Sequence, residues 1–126
     1  MRRTLVCVLL FTALSCGGGS PSSPSGEGGT TTITITSTGA TPTTLSVAQG
    51  TRVLFVNNDV RTHNMTADPH PSHDQPGCSA LNDVGFLPAG QRRETGNLTT
   101  LGTCGFHDHD DPPPGGTRFT GRITIR

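Results

Sequence analysis

The sequence predicts an all-β fold: an antiparallel Greek-key β-sandwich of about seven strands. Two observations carry this expectation. Short runs such as Thr32-Ile33-Thr34-Ile35-Thr36 and Arg122-Ile123-Thr124-Ile125 alternate β-branched polar and apolar residues with a period of two, as half-buried strands do. Clusters of Gly, Pro, Asn and Asp punctuate these runs, and no stretch shows a convincing helical period.

Taken in order, the chain opens on a targeting segment. Met1-Arg2-Arg3 is a positive start, and Leu5 to Leu14 is an apolar run too short to span a bilayer. Ala13-Leu14-Ser15 fits a small-x-small cleavage site, so residues 1–15 are expected to be a signal peptide. Cys16 follows directly, in an arrangement that resembles a bacterial lipoprotein signal, which implies lipidation of Cys16. Residues 16–29 are almost wholly Gly, Ser and Pro and form a linker with a reach on the order of 20 Å. The folded domain is expected over residues 30–126, exported to the periplasmic or cell-envelope face and held to a membrane through the lipid anchor.

Within that domain Thr32 to Thr36 reads as the first strand and Leu45-Ser46-Val47 as another. Arg52-Val53-Leu54-Phe55-Val56 is the most continuous apolar run, expected to be a strand buried on both faces. His63 to Thr66 reads as a short strand. Asp68 to Val84 carries three prolines and no apolar period, and is expected to be a long loop with a function or a staple. Phe86 to Gln91, Leu98 to Cys104 and the run from Gly121 complete the strands.

Charge and composition exclude several functions. The formal net charge is +0, so no basic face invites nucleic acid. No Ser-His-Asp motif, paired glutamates or phosphate-binding glycine loop is legible, and a non-enzyme is expected. With Trp 0, Tyr 0 and Phe 5, the core is modest and calls for a metal or a disulfide.

The chemistry gathers around histidine and cysteine. All five histidines lie between positions 63 and 109. Cys104-Gly105-Phe106-His107-Asp108-His109 sets a thiolate and two imidazoles close together, expected between two strand ends, where sulfur and nitrogen together suit a transition metal. The competing reading is a disulfide between Cys78 and Cys104, natural in an oxidising compartment, which would leave the histidines to hold a metal through nitrogen alone. His70 and His73 read as part of a solvated loop, and Asp108, Asp110 and Asp111 as an exposed acidic rim that could steer a basic redox partner.

Phe55-Val56-Asn57-Asn58-Asp59-Val60-Arg61-Thr62-His63-Asn64, Cys104-Gly105-Phe106-His107 and the closing run from Phe119 to Ile125 resemble the plastocyanin-like blue (type 1) copper domains of the cupredoxin superfamily. The resemblance implies a cupredoxin-like sandwich with copper as cofactor and His63, Cys104 and His107 as ligands. The family's axial Met is replaced by Phe119, so the fourth position would be empty or filled by His109 or an Asp. It also implies a one-electron carrier, a redox partner protein and a monomeric state.

Overall fold

The computed structural model describes residues 31–111 and 116–126. The expected signal peptide, Cys16 and the linker lie outside the described residues.

Among the described residues nine strands form two sheets. They are β1 (Thr32–Thr36), β2 (Gly39–Thr41), β3 (Thr44–Val47), β4 (Leu54–Asn57), β5 (His63–Ala67), β6 (Gly85–Leu87), β7 (Arg92–Glu94), β8 (Gly102–Asp108) and β9 (Gly121–Ile125). One sheet runs β2-β1-β4-β7 and the other β3-β9-β8-β5-β6. Both are mixed rather than antiparallel: β1 pairs with β4, and β3 with β9, in parallel. The two short strands that the sequence reading missed, β2 and β7, lie at the edges of the four-stranded sheet.

Alternation explains what goes inside. In β1, Ile33 and Ile35 are fully buried while the threonines are half-buried, as the period of two requires. β4 was expected to be buried on both faces. It alternates instead, with Phe55 buried and Leu54 and Val56 half-buried. The two sheets meet around Phe55 and Phe106, whose rings pack edge to face at 5.3 Å. Each such buried aromatic contributes roughly 1.5–3 kcal/mol by leaving water. Gly121 is required beside them, because a Cβ there would stand 2.5 Å from both Phe106 Cζ and the Thr43 carbonyl oxygen.

The long segment between β5 and β6 folds over the five-stranded sheet. It contains a 3-10 turn at Ser79–Asp83 and buries Cys78, Leu81 and Val84 in the core. A disulfide joins Cys78 to Cys104 of β8. The Gln75 side chain adds a clamp by donating to the Thr103 carbonyl at 2.8 Å and accepting from the Gly105 amide at 2.9 Å. Asn82 fixes the far part, accepting from the Ala67 amide and donating to the His73 carbonyl. The loop is therefore held by one covalent bond and several hydrogen bonds to the strands that it covers.

Candidate metal centre

β8 decides where each ligand candidate points. The sequence reading placed Cys104 and His107 between strand ends, but the strand continues through Asp108. On a strand, residues three apart face opposite sides of the sheet. Cys104, Phe106 and Asp108 share the inner face, and His107 lies on the outer one beside Thr66, its neighbour on β5. The expected set of His63, Cys104 and His107 is therefore not brought together. The Cys104 sulfur is committed to Cys78 and offers no thiolate.

His63 is also engaged elsewhere. Its Nδ1 lies 2.7 Å from Asp108 Oδ2 and its Nε2 lies 3.1 Å from Asp59 Oδ2. A carboxylate oxygen thus faces each ring nitrogen and occupies the position from which a metal would approach it. The ring is fully buried and packs against Phe119, with centroids 4.5 Å apart. Burial pushes the Asp59 carboxyl up. The Val60 amide, His63 and Arg61 outweigh it and hold the group below its ordinary value. Asp108 was expected on an exposed acidic rim. It is instead buried, because His63 and the Asn64 amide give its carboxylate partners.

Four other groups do converge. His70, His73, His107 and His109 each present a ring nitrogen, and these atoms all lie within 4.8 Å of one another. His107 and His109 are two apart, so they share the outer side of the chain as it leaves β8. His70 and His73 come from the covering loop, expected from its composition to be solvated; His70 is exposed and His73 half-buried. No periodic pattern marks them in sequence; the one available signal was the crowding of every histidine into a short stretch.

The hydrogen bonds around this cluster select tautomers. His107 Nδ1 lies 2.7 Å from Asp68 Oδ1, and His73 Nδ1 lies 2.9 Å from the Ala67 carbonyl oxygen. Both partners accept, so Nδ1 donates in each ring and, in the neutral form, the lone pair sits on Nε2. His73 Nε2 faces His109 Nδ1 at 2.7 Å, inside the cluster. A carboxylate or carbonyl behind the imidazole is the usual support of a metal-binding histidine. Gly105 makes room for it, since a side chain there would collide with the Asp68 carboxylate. His73 itself adopts a left-handed backbone, φ 55, the kind of strain that persists where surrounding contacts enforce it.

His70, though exposed overall, is held below its ordinary pKa by partial desolvation, and then by any charge on His109, His107 and His73. Four nitrogens around one point suit copper or zinc, with bonds of about 2.0–2.1 Å for zinc–imidazole. At that length opposed donors lie at most about 4.2 Å apart, so the cluster would need to tighten by under 1 Å.

A sandwich of this connectivity is the cupredoxin fold, and solved structures bear out the assignment. The chain superimposes on a novel purple cupredoxin from Nitrosopumilus maritimus with a TM-score of 0.57, at 20% identity, covering 75% of this chain and 98% of that one. An oxidised plastocyanin from Dryopteris crassirhizoma matches with a TM-score of 0.55 at 19% identity, over 75% of this chain and 99% of that one. A Cu(I) form of an amicyanin mutant matches with a TM-score of 0.55 at 17% identity, over 77% and 82%. No protein-family profile matches the chain, and no curated protein is similar to it in sequence. At these identities the likeness defines the fold alone.

Proposed function

We propose that the domain is a copper-holding module that binds one ion through His70, His73, His107 and His109, on a sandwich stapled by Cys78–Cys104. The observation that carries this reading is the convergence of one ring nitrogen from each of the four histidines within 4.8 Å, with the Nδ1 hydrogen bonds of His107 to Asp68 and of His73 to Ala67 leaving Nε2 as the lone-pair nitrogen in both rings. Bound there, copper would supply a cation able to change oxidation state. The protein supplies ligand orientation through Asp68 and the Ala67 carbonyl. It supplies permanence through the disulfide. We read the domain as a binding module rather than an enzyme, monomeric, exported by residues 1–15 and tethered at Cys16.

A second reading, one-electron carriage to a redox partner protein, gains support from the fold shared with plastocyanin and amicyanin structures in oxidised and Cu(I) forms. It would run through the same four imidazoles, with a potential set by nitrogen rather than thiolate ligation.

A Cu(II) titration followed by visible absorption and electron paramagnetic resonance tests the first reading. The expected result is a one-to-one complex with nitrogen hyperfine structure and no intense thiolate-to-copper band, lost in a His73→Ala/His107→Ala variant. An intense band abolished by Cys104→Ser would overturn it and restore the thiolate set.

A further inference from the structure

The four imidazoles are not held alike. His107 is fully buried, with its Nδ1 bonded to Asp68. His73 is half-buried, with its Nδ1 bonded to a backbone carbonyl. His109 is half-buried, tied by its own amide to the Asn64 carbonyl at 2.7 Å and by its ring to His73. His70 is exposed and flanked by exposed Pro69 and Pro71. Among the described residues no hydrogen bond holds either of its ring nitrogens. It meets the other three only through ring contacts, at 4.9 to 5.7 Å between centroids.

Resting on the metal-site reading above, we infer that the fourth coordination position, His70, is an exchange port that admits an external monodentate nitrogen donor to the ion. A metal-bound imidazole oriented by a fixed partner stays in place when its bond stretches, and re-forms that bond readily. One without such a partner, on the solvent side, rotates away. The exchange is balanced: the His70-to-metal bond breaks, a bond from the incoming neutral nitrogen forms, and neither charge nor oxidation state changes. His73, His107 and His109 keep the ion meanwhile. An acceptor presenting further nitrogen donors could then take the ion by successive replacement, with His70 leaving first. This makes the port suited to passing a metal on as well as to holding it.

The test compares the wild-type chain, His70→Ala and His107→Ala in Cu(II) affinity, in resonance spectrum with and without added imidazole, and in the rate of copper loss to a chelator. Circular dichroism checks that each variant folds. His107→Ala is expected to weaken binding at least about 100-fold, and His70→Ala by less than about tenfold, given that orienting partners alone are worth 10–100-fold. Imidazole should shift the His70→Ala spectrum toward that of the wild type. Copper loss from His70→Ala should be several-fold faster. Equal losses in the two variants, or a His70→Ala spectrum indifferent to imidazole, would overturn the port while leaving the metal site standing. A wild-type chain that binds no Cu(II) would instead remove the reading beneath it.

Discussion

Replacing Cys78 and Cys104 together by Ala tests how the covering loop is secured. The bridge spans a sequence separation of 26. For a loop of that length the chain-entropy relation gives a stabilisation of about 3.5 kcal/mol at 25 °C. A domain of this size loses about 4–8 °C of Tm per kcal/mol, so the double variant should melt about 14–28 °C lower. Urea unfolding with the midpoint compared at constant slope is the appropriate assay, because a changed slope would signal a changed unfolded state. Gln75 and Asn82 also hold the loop, so the variant should still fold. Its copper affinity should fall as well, since His70 and His73 would have to be ordered at the moment of binding. A loss of under about 1 kcal/mol would refute the reasoning. It would mean that the hydrogen bonds alone fix the loop and that the bridge merely joins groups already in place.

Other perturbations separate the two histidine environments. Asp68→Asn weakens the partner of His107 Nδ1 and should lower copper affinity about 10–100-fold, read by competition with a chelator, with little change in apo-protein melting. Asp59 has its carboxyl held below the ordinary 3.8, so its stabilisation is complete above that value and is lost as pH falls from 3.8 through the folded-state pKa. An Asp59→Asn variant should accordingly be less stable at neutral pH and show a flatter acid limb in a stability-versus-pH series; an unchanged limb would remove Asp59 from the account. Gly121→Ala forces a methyl against Phe106 and the Thr43 carbonyl and should cost about 1–3 kcal/mol in denaturant unfolding.

The sandwich was legible because alternation is local. β1 coincides with the run Thr32 to Thr36, and β9 opens at Gly121 as its pattern required. What alternation could not supply was where a strand stops. Leu98 to Cys104 was expected as a strand, whereas β8 begins at Gly102 and runs on to Asp108. That shift of about four residues puts both Cys104 and His107 inside the strand and so on opposite faces. Asp108 looked like surface charge because its partner, His63, lies 45 positions away. Likewise the pairing of His73 with the Ala67 carbonyl depends on a loop conformation that no periodicity announces. The disulfide was foreseeable as one of two options from compartment and cysteine count, and the structure selects it. Phe119, expected where the family has its axial Met, packs against His63 and beneath Arg61 and Arg118 instead.

The face assignments on β8 bear on how such a centre could be gained or lost in evolution. Because side chains alternate strictly along a strand, no substitution at Cys104 or His107 can bring the two to one side; only a change in the number of residues between them can. A single deletion there would turn His107 inward toward His63. It would also carry Asp108 outward, breaking the buried pair that now occupies that space. A thiolate-imidazole centre and the proposed four-imidazole one are thus separated by an insertion or deletion, a step that gradual side-chain exchange does not pass through.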